Sequence, residues 1–213
     1  MNNIAKLLKP TSVAVIGASN RSYRAGKVVM NNLLQGGFQG AIMPVSPKYK
    51  AVCGVLAYPN ISALPITPDI AILCTHASRN KQIFLELAEK KISTVIVLSS
   101  DMHIPTEGMT TVEDECLEIA KNNGIRILGS NSLGIILPWL NFNASFSPVS
   151  ASKGSIAFIS QSAAVCTTIL DWANDKDIGF SAFISIGNGC DIDVAELLDH
   201  LCTDSKTNAI LLY

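Results

Sequence analysis

Short apolar stretches alternate with longer amphipathic stretches over residues 13–128 of the chain. The apolar stretches are rich in Val and Ile, which predicts buried strands at residues 13–16, 41–45, 70–74, 95–98 and 125–128. Helical spacing of the apolar positions predicts helices at residues 27–34, 78–90 and 111–123. Such alternation indicates βαβ units with right-handed crossovers. We therefore predict an α/β fold whose parallel, Rossmann-like sheet is covered by helices on both faces.

The alternation stops near residue 135 and resumes at residue 155. Pro138, Pro148 and a stretch rich in Ser and Asn predict a connection at residues 141–154, between a first domain (1–140) and a second (155–213). In the second domain we predict strands at 155–159, 180–186 and 209–213 and helices at 163–172 and 194–201. No covering helix follows the last apolar strand. We therefore expect the chain to be the N-terminal fragment of a longer protein.

The composition of the chain favours a folded globular protein and disfavours nucleic-acid-binding and membrane-spanning classes. The chain has 213 residues, of which 48% are hydrophobic and 15% charged, as expected of a folded α/β protein with a large core. Its net charge of −1 gives no basic surface for nucleic acid or an anionic membrane. No apolar run approaches the roughly 18–20 residues that span a bilayer, and the N-terminal apolar stretch is too short for a signal peptide. We expect a cytoplasmic protein with no membrane or nucleic-acid partner.

The cysteines and histidines indicate no metal site. Six cysteines form no CxxC pair, and most lie in apolar segments, where a free cysteine behaves as a small hydrophobic residue. The three histidines are scattered along the chain. We expect neither a metal nor a disulfide.

A glycine turn follows the first predicted strand. Gly17, Ala18, Ser19 and Asn20 lie between that strand and a helix that begins near Gly26. A tight turn before a helix N-terminus is suited to bind phosphate, because the free N–H groups of the helix face the turn. The complete G-x-G-x-x-G pattern is missing, so a plain structural turn is the alternative.

The residues after the second predicted strand favour one type of nucleotide. The strand runs into Ser46, Pro47 and Lys48, with Lys50 close behind and no Asp or Glu. A nucleotide site of the NAD type has an acidic residue here to bind the ribose hydroxyls. Two lysines suit a ribose that carries an extra phosphate, as in coenzyme A or NADP. Solvated surface lysines are the alternative.

Small polar residues follow the next three strands. Thr75 and His76 end the third strand, and Ser99 and Ser100 end the fourth, so all four should border the crevice at the carboxyl edge of the sheet. His76 could act as a general base, although no partner for it is evident. Asn131, within the Gly129–Gly134 segment after the fifth strand, indicates tight backbone beside a ligand.

A second candidate anion site lies at the start of a helix in the second domain. Ser160, Gln161, Ser162 and Ala163 lie between a predicted strand and a predicted helix. Ser162 suits the N-cap position, and the helix start could hold an anion; a simple cap without a ligand is equally compatible. A serine nucleophile is disfavoured because the G-x-S-x-G pattern is absent.

Taken together in order, these motifs resemble a known family, the nucleoside-diphosphate-forming acyl-CoA synthetases related to the succinyl-CoA synthetase α subunit. The resemblance covers almost the whole chain and rests on five motifs, at residues 13–19, 44–48, 129–134, 160–163 and 187–188. Further stretches, at residues 24–26, 50–52, 143–149, 169–173 and 204–207, are similar to the bacterial Pat-type protein lysine acetyltransferases, which add a GNAT-type domain. The resemblance implies a CoA-binding Rossmann-like domain followed by the first half of a flavodoxin-like, succinyl-CoA-ligase-type domain.

The resemblance also implies roles for residues. The turn at residues 17–20 would hold the CoA diphosphate, Lys48 would meet the adenosine phosphate, and Thr75 with Ser99 and Ser100 would line the pantetheine path. Residues 160–162 correspond to the loop that starts a phosphate-receiving helix in active synthetases.

Three departures from the family pattern weigh against catalysis by this chain. Ser130 and Ser132 stand where synthetases have Pro and usually Cys, and Ala163 stands where they favour Gly. The family's phosphorylated histidine would lie beyond residue 213, so we assign no catalytic residue here.

Two functions are therefore compared. The first is an acetyl-CoA-binding regulatory segment of a protein lysine acetyltransferase, with protein lysines as substrates of the parent protein and homo-oligomerisation possible. The alternative is the N-terminal part of an ADP-forming acyl-CoA synthetase. An NADP-dependent oxidoreductase is disfavoured because the glycine pattern is incomplete. Either of the first two implies CoA or acetyl-CoA as the ligand.

Overall fold

The computed structural model describes residues 4–103, 105 and 110–213. It contains two five-stranded sheets and one short hairpin. In chain order the elements are α1 (Ile4–Leu8), β1 (Ser12–Ile16), α2 (Ala25–Gly36), β2 (Ala41–Val45), β3 (Ala51–Val52), β4 (Val55–Leu56), β5 (Ile70–Leu73), α3 (Asn80–Glu89), β6 (Thr94–Val97), α4 (Val112–Asn123), β7 (Arg126–Leu128), β8 (Gly134–Leu137), β9 (Phe142–Ser145), β10 (Lys153–Ser160), α5 (Ala163–Asp175), β11 (Phe180–Ser185), α6 (Val194–Leu201) and β12 (Ala209–Leu212).

The first sheet is parallel throughout, with strand order β2-β1-β5-β6-β7. Alternate residues of its strands enter two cores. On one face Val13, Val15 and Ile72 pack with α1 and α2, and on the other Ile16 and Leu73 pack with α3 and α4. The central strands β1 and β5 are therefore buried along their whole length on both sides, and β5 is apolar throughout. The α/β prediction, with helices on both faces of a parallel sheet, is confirmed.

The second sheet has strand order β12-β10-β11-β8-β9. The strands β10, β11 and β12 are parallel, whereas β8 and β9 pair antiparallel to their neighbours. The residues 141–154 were predicted to form a connection, yet they contain β9, and β8 lies within the predicted first domain but pairs with β11. The domain boundaries themselves stay a prediction.

Strand β9 was not predicted from the sequence, because it contains polar residues that are nevertheless buried. Asn143 and Ser145 are only 3% and 1% exposed, and the Ser145 hydroxyl donates to Asn143 Oδ1 over 2.6 Å. Polar side chains that hydrogen-bond one another can lie in a core without the free-energy penalty of an unpaired group. A Ser/Asn-rich segment can therefore form an interior strand as well as a loop.

The two sheets share one core and are linked by polar contacts. Asn32 on α2 donates to the carbonyl oxygens of Ser145 and Ser147, at 2.9 Å each. Arg126 on β7 donates to Asp191 over 2.9 Å and to both oxygens of Glu196 over 2.7 and 2.6 Å. These contacts fix the orientation of the second sheet relative to the first.

Within the described ranges, no helix is long and apolar enough to cross a membrane.

Candidate functional site

The turn after β1 requires glycine at two positions. Gly17 has a φ of +85°, and a Cβ added there would lie 2.9 Å from Thr75 Cγ2 and 3.0 Å from the Cys74 carbonyl oxygen. Gly26 packs directly on this turn, and a Cβ there would overlap the Gly17 carbonyl oxygen. The turn therefore lies against the first residues of α2 with no room for a side chain between them.

The N-terminus of α2 faces this turn without a side-chain cap. Arg24, in the N-cap position, is extended, and its side chain makes no capping hydrogen bond. N–H groups of an uncapped first turn remain available to an anion, and the helix dipole favours negative charge at the same place.

A cleft of about 610 Å³ opens at the carboxyl ends of β1, β2, β5 and β6. This volume is in the usual range for small-molecule sites. Nine of the twelve residues predicted to bind CoA line it: Gly17, Ala18, Ser19, Ser46, Pro47, Lys48, Thr75, Ser99 and Ser100. Parallel strands bring these separate segments together at one edge, as the sequence predicts.

The cleft lining is rich in cations. Four basic side chains line the cleft, whereas Asp101 supplies its single carboxylate. The basic residues are Arg21, Arg24, Lys48 and Arg79. In the part of the chain that the structure describes, none of the four forms a salt bridge. Of these four, sequence reasoning assigned only Lys48 to the site and not Arg21, Arg24 or Arg79. Arg21 follows the glycine turn closely enough to have been found, whereas only the fold brings Arg79 to the cleft.

The floor of the cleft is a hydrogen-bonded network around Asn80. Asn80 is fully buried; its Oδ1 accepts from Thr75 Oγ1 at 2.7 Å and its Nδ2 donates to Ser99 Oγ at 3.2 Å. Ser99 Oγ in turn donates to the Thr75 carbonyl oxygen at 2.7 Å. The ends of β5 and β6 are thus joined beneath the ligand space.

Two side chains of the lining, the Cys74 thiol and the His76 imidazole, could in principle react, but the thiol is inert and the imidazole is hydrogen-bonded within the protein. Burial raises the pKa of the Cys74 thiol to about 12, so it stays protonated and is a poor nucleophile at neutral pH. His76 Nδ1 lies 2.9 Å from Ser78 Oγ and accepts from the Ser78 N–H at 3.3 Å. His76 therefore caps the turn that precedes α3.

Three residues predicted to bind CoA are not part of the lining. Asn20 donates to the Ala51 carbonyl oxygen at 2.9 Å and accepts from the Cys53 N–H at 3.0 Å, so it holds the β3–β4 hairpin beside the glycine turn. Gly26 acts through its packing on that turn. Asn131, at a φ of +53°, donates its N–H to the Ser99 carbonyl oxygen at 2.9 Å and shapes the backbone behind the cleft.

The predicted anion site of the second sheet lies outside this cleft. Ser162 caps α5 by accepting from the Val165 N–H at 3.3 Å, and Ser160 Oγ accepts from the Ser162 N–H at 3.0 Å. Gln161 donates its N–H to the Tyr213 carbonyl oxygen at 3.3 Å, and Ala163 begins the helix. This geometry is compatible with a simple cap and with an anion site.

A polar cluster that sequence reasoning missed joins the sheets near Ser99. The Ser130 hydroxyl donates to Glu113, and Asn188 Nδ2 donates to Ser130 Oγ at 2.9 Å and to Glu113 Oε1 at 3.2 Å. Asn188 also lies 3.1 Å from His103 Nε2. Within the described residues, no group of three or more His, Cys, Asp or Glu could hold a metal ion.

Comparison with known proteins agrees with the cleft and the fold. The CoA binding domain family matches residues 11–138, and the succinyl-CoA ligase like flavodoxin domain matches residues 153–213.

Two curated relatives and one solved structure are similar over nearly the whole chain. Subunit alpha of the ADP-forming acetate–CoA ligase II of Pyrococcus furiosus is 38% identical over 96% of this chain and 44% of its own length. ADP-forming acetate–CoA ligase I of Archaeoglobus fulgidus is 34% identical over 98% of this chain and 30% of its own length. A structure of dinucleotide forming acetyl-coenzyme A synthetase 1 of Ca. Korarchaeum cryptofilum, in complex with phosphate and ADP, superposes with a TM-score of 0.93 at 30% identity, over 100% of this chain and 46% of that one.

The chain spans less than half the length of each of these three proteins. The match to residues 11–138 covers more than half of the chain itself, and it coincides with the sheet and the cleft described above. The chain therefore belongs to the CoA-binding domain family, with a succinyl-CoA ligase-like flavodoxin domain following in the same chain.

Proposed function

We propose that this chain is the CoA-binding, α-subunit-like N-terminal part of an ADP-forming acyl-CoA synthetase. Such an enzyme joins a carboxylic acid to the CoA thiol while ATP is cleaved to ADP and phosphate. The observation that carries the proposal is the cleft at the glycine turn, where four basic side chains that form no salt bridge within the described residues lie around the turn and an uncapped helix N-terminus. CoA carries three phosphate groups, and a cationic cleft compensates their charge.

In this proposal the diphosphate and the 3′-phosphate of CoA meet different parts of the cleft. The diphosphate lies at Gly17, Ala18 and Ser19, where the turn and the start of α2 supply N–H groups. The 3′-phosphate lies at Lys48, in the turn after β2 with Ser46 and Pro47.

The pantetheine arm runs over the floor of the cleft. Thr75, Ser99 and Ser100 line that side, and all three carry neutral hydroxyl groups. Asn20, Gly26 and Asn131 support the backbone of the site from outside the lining.

The relatives favour the synthetase over the acetyltransferase that the sequence patterns suggested. The three proteins compared above are ligases or synthetases by name, and nothing in their similarity supports protein lysine substrates. The synthetase proposal also gives the segment at Ser160–Ala163 a use, as a phosphate site at the start of α5. Acetyl-CoA is the acyl-CoA that we propose for the complete enzyme.

Calorimetric titration of the chain with CoA, acetyl-CoA and NADPH tests the proposal. We expect binding of the two CoA species and none of NADPH. Tight binding of NADPH, or no binding of either CoA species, would contradict it.

A further inference from the structure

Asn80 lies directly beneath the cleft but does not line it. Its side chain is fully buried at the start of α3, between the ends of β5 and β6. Besides its bonds to Thr75 and Ser99, its Nδ2 lies 3.0 Å from Met102 Sδ. Every polar atom of this amide therefore has a partner within the protein, and none is left to reach a ligand.

These bonds fix the direction of both hydroxyl groups above Asn80. A hydroxyl has one proton to donate and two lone pairs to accept with. The Thr75 proton is used at Asn80 Oδ1, and the Ser99 proton is used at the Thr75 carbonyl oxygen. Toward the cleft, both hydroxyl oxygens therefore present lone pairs alone.

The Thr75 rotamer is held from the other side as well. Its methyl carbon lies so close to Gly17 that a Cβ added at the glycine would be 2.9 Å away. The methyl group thus packs against the glycine turn while the hydroxyl points to Asn80. Breaking the bond to Asn80 would free the hydroxyl proton without moving the side chain.

We propose that Asn80 is a positioning residue that sets the hydrogen-bond polarity of the cleft floor, and this rests on the proposed function. Asn80 Oδ1 accepts the Thr75 proton, while Asn80 Nδ2 donates to Ser99 Oγ and so leaves the Ser99 proton on the Thr75 carbonyl oxygen. The floor therefore binds groups that donate, such as the amide N–H and hydroxyl groups of pantetheine. A phosphate at neutral pH offers acceptor oxygens and is disfavoured there. Asn80 thereby orients CoA, with its phosphates toward the cations and its thiol arm across the floor.

Titration with two ligands separates this role from a general structural one. Adenosine 3′,5′-bisphosphate keeps the adenosine and the 3′-phosphate of CoA but lacks the pantetheine arm. For Asn80→Leu, which keeps the branched shape of the side chain and has no polar atoms, we expect CoA affinity about fivefold to tenfold lower than in the unaltered chain. The affinity for the bisphosphate should change less than twofold. Asn143→Leu removes a buried amide from the second sheet, and should change neither affinity.

A second variant gives the same contrast if Asn80→Leu does not fold. Thr75→Val keeps the shape of the side chain and removes the acceptor oxygen, so it should weaken CoA about fivefold and spare the bisphosphate. Equal losses for both ligands, or unchanged CoA affinity in the variant that folds, would overturn the role of Asn80. Failure of the unaltered chain to bind CoA would instead contradict the proposed function, and the role of Asn80 with it.

Discussion

Replacing Lys48 by Ala should weaken CoA far more than dephospho-CoA. Lys48 is exposed at the rim of the cleft, next to Ser46 and Pro47, and it forms no salt bridge within the described part of the chain. Its ammonium group is therefore free to meet the 3′-phosphate, the one group that the two ligands do not share.

The size of the effect follows from the exposure of Lys48. A charge-assisted hydrogen bond is worth about 1.5–3 kcal/mol when it is shielded from water, and an exposed ion pair only about 0.2–1 kcal/mol. At the half-open rim we expect about 1–1.5 kcal/mol, which is roughly a fivefold to twelvefold loss of CoA affinity. Because salt screens this interaction, the difference in CoA affinity between Lys48→Ala and the unaltered chain should be smaller at high salt concentration.

Calorimetry with both ligands at two salt concentrations measures this difference. Lys50→Ala is the matched control, because it removes the same charge two residues away, outside the cleft lining. It should change both affinities by less than twofold. Equal losses for CoA and dephospho-CoA in Lys48→Ala would refute the placement of the 3′-phosphate at Lys48.

Three further predictions concern the turn, the junction of the sheets and pH. Gly17→Ala should abolish CoA binding and lower the melting temperature more than Gly37→Ala does. Both glycines have positive φ, but of the two only Gly17 has neighbours within 4 Å of the added Cβ. Equal effects of the two variants in calorimetry and thermal unfolding would contradict the steric explanation. Arg126→Ala should lower the free energy of unfolding by about 1–3 kcal/mol in denaturant titration, because it removes the cation that pairs with Asp191 and Glu196. Replacing the exposed Lys121 by Ala should change it by less than about 0.5 kcal/mol. Burial alone would raise the pKa of Asp69, but hydrogen bonds from Thr11 and Ser12 and the charge of Lys6 together outweigh it, so the pKa lies below its ordinary value of 3.8. The contribution of the Asp69 carboxylate to stability is therefore present above about pH 4 and is lost as the pH falls through the lowered pKa. In urea titrations, Asp69→Asn should lose less stability below about pH 4 than the unaltered chain does. An equal loss in both proteins over that pH range would contradict this prediction.

The first sheet and the glycine turn could be predicted from sequence because their signals are local. Runs such as residues 13–16 are buried on both faces, so they contain no polar position, and the turn that follows needs Gly17. Residues that follow the strands meet at one edge in any parallel sheet. Nine of the twelve residues predicted from sequence to bind CoA therefore line the cleft.

The rest depends on contacts between distant segments. Strand β9 is polar in sequence and buried in the fold, because Asn143 and Ser145 satisfy each other. Asn80 is polar, although its helical spacing places it on the same face as the buried Ile83, Phe84 and Leu87. Only the packing of α3 under the ends of β5 and β6 shows that its partners are Thr75 and Ser99.

The central claim, that CoA occupies the cleft at the carboxyl edge of the first sheet, is tested most directly by mapping backbone amide shifts by NMR during titration with CoA. The account predicts saturable changes at residues 17–19, 46, 48, 75–76 and 99–100, which come from four separate segments around one cleft. Residues 160–163 should change far less, because they lie outside it. Changes confined to residues 160–163, or none at the glycine turn, would contradict the account.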